Sequence, residues 1–247
     1  MSSHERAPQA PGLTVPVALA TGELEVLGAL PDSSNAALLV RCQAGADSCV
    51  AVYKPMRGET PLWDFPNGTL HRREVAAFAL ANALGWPRVP PTVLRDGPYG
   101  PGSVQLFVPF DPAHHFFTLE MEHADVFRRV ALFDIAANNA DRKGGHCLLD
   151  AEGQIWLIDH GVCFAVEPKL RTVIWTFVGE PLPEDAAADL ARVHHELAAG
   201  IGVATTLGTL LDPAEVDAAR ERVERLLAGG RFPEPEPGVR PYPWPPI

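Results

Sequence analysis

Four side chains occur in an order that would suit phosphoryl transfer. Lys54 ends the run VAVYK, Glu74 lies in HRREVAAF, Asp141 stands in NNADRK, and Asp159 ends IWLID before His160 and Gly161. A lysine neutralises nucleotide phosphates, and a glutamate holds that lysine extended. One aspartate orients the acceptor hydroxyl, and a second binds the Mg²⁺ that bridges the phosphates. Each residue alone has a plainer reading: a solvated strand lysine, a surface helix glutamate, a turn aspartate before glycine. The ordered set is harder to dismiss, because a carboxylate ending a buried strand is costly unless it is paired or metal-bound. Asp141 and His146 also keep the interval of a D-x-x-x-x-N catalytic loop.

These residues need elements to position them. GELEVLGALP and AALLVRCQ are apolar runs separated by the turn composition PDSSN, and SCVAVYKP is a further strand ended by Pro55. TLHRREVAAFALANALGW carries helical spacing at Val75, Phe78, Ala79 and Leu84, with Thr69 as its cap. PPTVLRDGPYGPGSVQLFVPF reads as strand, Gly/Pro turn, strand. In EHADVFRRVALFDIAANNA, Val126, Val130, Phe133 and Ile135 form an apolar side, and HCLLDAEGQIWLIDHG reads as a short hairpin. EDAAADLARVHHELAAG and DPAEVDAARERVERLLAGG are helices with acidic starts and glycine ends. The expected fold is α+β and two-lobed. A β-rich lobe with one helix spans residues 1–107, a helical lobe with the two loops spans 108–229, and a Pro-rich tail spans 230–247.

Composition narrows the partners. The chain has 247 residues, 47% of them hydrophobic, and a formal net charge of −11, which disfavours nucleic acid and anionic membrane surfaces. No segment approaches the ~20 apolar residues of a membrane span, so no integral membrane association is expected. The start, MSSHERAPQAPG, lacks the pattern of a signal peptide. Cys42, Cys49, Cys147 and Cys163 form no CxxC pair, so reduced thiols in a cytoplasmic protein are expected, with a Cys42–Cys49 bridge as the alternative. The tail RFPEPEPGVRPYPWPPI is too rich in proline for a helix. It is expected to be extended, either mobile or packed through Tyr242 and Trp244, and it is a candidate protein-binding segment.

The chain resembles the phosphatidylinositol 3-/4-kinase-like branch of the kinase fold, and most of all the type II phosphatidylinositol 4-kinases. VYKP (52–55), GSVQLFVPF (102–110), NNADRKGGH (138–146) and LIDHG (157–161) carry the resemblance, which covers roughly residues 22 to 165. It is also similar to a group of actinobacterial proteins with a phosphatidylinositol-kinase-like domain. The resemblance implies an atypical kinase fold, ATP, and Mg²⁺ or Mn²⁺. It implies that Ser33, Ser34 and Asn35 in PDSSN cover the phosphates, and that backbone groups from Gln105 through Phe107 to Val108 meet adenine at an inter-lobe hinge. Lys54 then grips the phosphates, Glu74 positions it, Asp141 serves the acceptor, and Asp159 with His146 holds the metal. Two features depart from the family: PDSSN lacks its glycines, and His146 replaces an asparagine, with imidazole being less suited to Mg²⁺ than an amide oxygen.

Other residues read more plainly. His114-His115 and His194-His195 lack metal-ligand spacing and suit solvated or capping roles. Trp63, Asp64 and Phe65 either cover the cleft or pack on the lobe. Asp134 and Asn139 either brace the loop or face solvent. Two functions remain in view. The first is an ATP-dependent phosphotransferase acting on an unknown acceptor, a protein or small molecule before a lipid. The second is a pseudokinase that binds nucleotide without efficient transfer.

Overall fold

The computed structural model describes residues 13–30 and 35–247. Its first part is a five-stranded antiparallel sheet of β1 (Glu23–Ala29), β2 (Leu38–Ala44), β3 (Asp47–Pro55), β4 (Thr92–Gly97) and β5 (Gly100–Leu106), preceded by the short helix α1 (Val17–Thr21). The spatial order is β1-β2-β3-β5-β4, and α2 (Leu70–Leu84) crosses over between β3 and β4.

Alternation along the strands decides which side chain faces what. Val40 and Cys42 of β2, Ala51 and Tyr53 of β3, and Val104 of β5 share one face and pack on Ala18 and Leu19 of α1. The period of two therefore turns Lys54 to the opposite face. There Lys54 lies in register with Ser103 of β5 and meets α2 through Glu74. Tyr53 is locked by its hydroxyl, which donates to the Gly100 carbonyl at 2.5 Å. Its ring leaves no room for a side chain at Gly102, where a Cβ would stand 2.7 Å from the ring and 2.5 Å from the Lys54 carbonyl oxygen. Only glycine allows β5 to run that close to the lysine strand.

The second part is helical. α3 (Phe116–Leu119), α4 (Ala124–Ala137), α5 (Glu184–Ala199), α6 (Val203–Leu210) and α7 (Pro213–Gly229) surround a core that also takes in the inner side of α2. The hairpin β6 (Cys147–Leu149) and β7 (Ile155–Leu157) lies beneath the join. Asp150 builds its turn: its carboxylate accepts the Glu152 and Gln154 N–H groups and the Trp156 indole N–H.

The apolar side of α4 differs from the predicted one. Of the four predicted residues Val130 and Phe133 are fully buried, whereas Val126 is exposed and Ile135 only partly covered. From Val130 to Ala137 every residue but Ile135 is buried, Asp134 included, so the second half of α4 is covered on nearly all sides and has no single apolar stripe for the spacing to show. Three helices, α1, α3 and α6, are additional to the sequence reading. α6 is read poorly because glycines flank and interrupt it, and α1 and α3 are too short to show a period. Thr69 sits at the α2 N-cap position, but its hydroxyl donates to the Pro66 carbonyl and caps nothing.

The Pro-rich tail returns to the helical part. Tyr242 and Trp244, the predicted anchors, are exposed. Carbonyl groups hold it instead: Pro246 accepts the Gly144 N–H at 2.8 Å, and Pro241 accepts the Thr172 N–H and the Trp175 indole N–H, each at 3.0 Å. Prolines have no N–H to offer, so a proline-rich segment docks through acceptors. All four cysteines are free, although Cys42 and Cys49 stand opposite each other in the β2–β3 register. Among the described residues no helix is long and apolar enough to cross a membrane.

Candidate functional site

Lys54, Glu74, Asp141 and Asp159 line one cleft between the sheet and the helical part, together with Asn35, Glu59 and Gly161. β3 delivers Lys54, the first turns of α2 deliver Glu74, and β7 leads into Asp159. Lys54 Nζ donates to Glu74 Oε1 and, at 3.0 Å, to Asp159 Oδ1. The second Glu74 oxygen accepts the His160 backbone N–H at 2.9 Å. Glu74 therefore fixes both the lysine and the backbone that presents Asp159.

Asp159 itself adopts a left-handed conformation, φ 63°. For a residue other than glycine this costs on the order of 1 kcal/mol or more, and it persists where surrounding bonds over-determine it. Here the lysine, the Glu74–His160 bond and Arg142, whose Nη1 donates to the Ile158 carbonyl at 3.1 Å, supply those bonds.

The catalytic-loop candidate is braced from below. Arg142 and Asp134 are both 0% exposed and form an ion pair with Nη2–Oδ1 at 3.0 Å. Asn139 Nδ2 also donates to Asp134, and Asn139 Oδ1 accepts the Asp141 N–H, each at 3.0 Å. Asn138, at φ 50°, closes α4 and donates to the Ala165 and Glu167 carbonyls. Of the alternatives for Asp134 and Asn139, the structure gives the brace. Arg142 at its centre was not singled out in the sequence, since an arginine beside a charged loop residue carries no sign of burial.

The charges divide the carboxylates. Burial alone would push the Lys54 ammonium down, but Asp159 and Glu74 outweigh it and hold it above the ordinary lysine value. The same ammonium holds the Asp159 carboxyl well below the usual range, against burial. Asp141 goes the other way. Burial pushes it up to about 6, opposed by Lys143 and aided by the charge of Asp159. One cleft thus holds a firmly ionised carboxylate and one poised near neutrality, the combination that separates metal binding from proton handling.

His146 faces this pair but does not line the cleft. Its Nε2 lies 3.3 Å from Asp159 Oδ2 and its Nδ1 accepts the Lys143 N–H at 3.3 Å. Burial lowers its pKa to about 4, so the ring is neutral. With Nδ1 accepting, the proton sits on Nε2. In this arrangement His146 is a donor that steadies Asp159. Among the described residues no group of three or more His, Cys, Asp or Glu side chains is arranged as a metal cage. A hard cation held by one or two carboxylates and substrate phosphates needs none, and Asp159, 49% exposed at its side chain, is open to it.

The remaining predicted contacts are mixed. Ser33 and Ser34 lie outside the described residues. Asn35 lines the cleft, with its Oδ1 accepting the Thr60 N–H at 2.7 Å. The Gln105 side chain is buried in the sheet, donating to the Thr92 hydroxyl, and the Phe107 N–H goes to the Val50 carbonyl. Of the three, Val108 alone has a backbone N–H without a hydrogen bond among the described residues. In the Trp63–Asp64–Phe65 loop, Asp64 pairs with Lys169 at 3.0 Å and Phe65 is buried, while Trp63 is 93% exposed.

The fold is similar to that in the crystal structure of a Helicobacter pylori proinflammatory kinase, CtkA. The TM-score is 0.51 at 12% identity, over 85% of this chain and 93% of that one, so the two-lobed α+β architecture is kinase-like. Phosphatidylinositol 4-kinase gamma 4 of Oryza sativa subsp. japonica is 28% identical over 184 residues, covering 59% of this chain and 33% of the rice protein. No family model matches the sequence. Protein Rv2133c of Mycobacterium tuberculosis is 40% identical over 262 residues, covering 92% of this chain and 93% of that protein. The chain belongs to the family of Protein Rv2133c.

Proposed function

We propose that the protein is an ATP-dependent phosphotransferase of the kinase-like superfamily, acting on a protein or small-molecule hydroxyl. The observation that carries this reading is Lys54 held between Glu74 and Asp159 in a cleft that also contains Asp141. Lys54 grips phosphate oxygens, and Glu74 keeps it extended. Asp159 holds Mg²⁺ or Mn²⁺, which when bound neutralises charge on the transferring phosphoryl group. Asp141 receives or orients the acceptor's hydroxyl proton, and its raised pKa suits that task at neutral pH. A lipid acceptor is disfavoured by the net charge of −11.

The test is transfer of radiolabelled phosphate from ATP to the protein itself and to candidate acceptors, with Asp159→Asn as the inactive control. Thermal stabilisation by ATP with Mg²⁺ or Mn²⁺ is expected, along with transfer that Asp159→Asn removes. No stabilisation under either metal would sink the nucleotide site. Stabilisation without transfer would leave the second reading, a nucleotide-binding pseudokinase, which the histidine at position 146 and the glycine-free PDSSN segment motivate. In that case His146→Asn, which introduces the asparagine of the phosphatidylinositol 3-/4-kinase-like family that the sequence resembles, is expected to raise transfer.

Asp141 gives a pH-dependent expectation. Its folded pKa of about 6 lies above the ordinary 3.8, so its ionised form is disfavoured by the fold. Its contribution to stability falls as pH rises through that window. Asp141→Asn should therefore raise the melting temperature at pH 8 and not at pH 3. The gain at this partly exposed site is on the order of 1 kcal/mol after solvent screening. The same variant should abolish transfer, and wild-type transfer should rise with pH through about 6. A stabilised variant with unchanged transfer would remove Asp141 from the chemistry.

A further inference from the structure

A second cavity lies in the helical part, separate from the cleft. It measures about 400 Å³, within the range of roughly 300–1,000 Å³ of small-molecule sites. Its walls are apolar at Leu170, Trp175 and Leu226, and one side carries Arg222 and Arg225 of α7, three residues apart and so on one helical face. Arg222 is 7% exposed. Its Nε and Nη1 donate to the Ala136 and Ala165 carbonyls at 3.0 and 3.1 Å. Its Nη2 is buried without a hydrogen-bond partner, and among the described residues no carboxylate reaches salt-bridge distance of either arginine.

That arrangement is unusual for a structural arginine. Buried guanidinium groups are ordinarily paired, because an uncompensated charge in an apolar setting is costly. Burial pushes Arg222 down to about 10, which leaves it charged at neutral pH. Arg225, one turn away, adds a like charge where repulsion would otherwise be avoided. Carboxylates of the cavity, Glu234 and Glu236, belong to the segment after α7 and pair with neither arginine. The site thus presents an unpaired buried guanidinium nitrogen beside an apolar wall.

We propose that this cavity binds an amphipathic organic anion, with its apolar body between Trp175 and Leu226 and its anionic group at Arg222 and Arg225. The site adjoins the loop that leads to Asp141, since the Ala165 carbonyl accepts from both Arg222 and Asn138. Its occupant is distinct from the nucleotide of the cleft.

Two probes of matched shape test the proposal on the full chain: anilinonaphthalene sulfonate and the uncharged N-phenyl-1-naphthylamine. The sulfonate should give a saturable fluorescence rise at one equivalent, and the neutral probe should bind at least about tenfold more weakly. Arg225→Glu should weaken the sulfonate at least about tenfold. Gly229→Phe should abolish the signal by filling the cavity mouth. A Cβ at Gly229 meets nothing within 4 Å, so that variant should retain its circular dichroism and melting temperature. Arg222→Gln tests the buried anchor, and if it fails to fold the two other variants still decide the matter. Equal affinity for both probes, a signal unchanged by Arg225→Glu and Gly229→Phe, or displacement by inorganic phosphate at the sulfonate's own concentration would each overturn the proposal.

Discussion

Arg142→Met is expected to lower unfolding free energy by about 3–5 kcal/mol, measured by denaturant titration. The reason is what it leaves behind. Asp134 would remain fully buried as a charge, with only Asn139 at 3.0 Å and Thr172 at 3.3 Å to answer it. The Ile158 carbonyl and the His160 ring would lose their donor as well. Removing both charges in Asp134→Leu/Arg142→Met should recover part of the loss, because an uncompensated buried charge is worse than none. Phosphate transfer should not recover in the double variant, since Asp141 and Asp159 are both positioned through this pair. A loss under about 1 kcal/mol in the single variant would show that water reaches Asp134 and that the brace is not a dry one.

Lys54→Met should reduce transfer by about 10²–10³-fold, the usual effect of deleting one preorganised group at developing charge. It should also cost stability of about 1–3 kcal/mol, because Glu74 is 3% exposed and would lose its cation. The two effects can be separated. Lys54→Met/Glu74→Gln keeps an acceptor for the His160 N–H and removes the stranded charge. That variant should regain stability and remain inactive. If it regains transfer as well, Lys54 acts only by satisfying Glu74, and the phosphate-gripping role is wrong.

How far the site was legible in the sequence follows from the range of the interactions involved. Lys54 was placed at the end of a strand run and Glu74 within a helical pattern, and both signals are local. The structure brings them to one cleft with Asp141 and Asp159, whose loop spacing is local too. The Asp134–Arg142 pair shows the limit. A charge on an amphipathic helix reads as solvent-facing until its partner is known, and spacing does not show that the loop after α4 turns back to bring Arg142 onto Asp134. Arg222 fails to show for the same reason, amid the alternating charges of α7. His146 was legible as a departure, but its tautomer depends on the Lys143 backbone and could not be read from spacing. The tail misled through its aromatic residues, whereas its carbonyls, which every residue has, make the contacts.

The left-handed backbone at Asp159 also determines which replacements can be interpreted. Of the twenty residues, only glycine, asparagine and aspartate enter that region readily. An alanine there would remove the carboxylate and refold the loop at once, and its phenotype would report both changes together. Asparagine keeps the shape and the backbone and removes only the charge. The set of interpretable replacements at this position is therefore narrow: most substitutions are filtered first by backbone geometry and only then by chemistry.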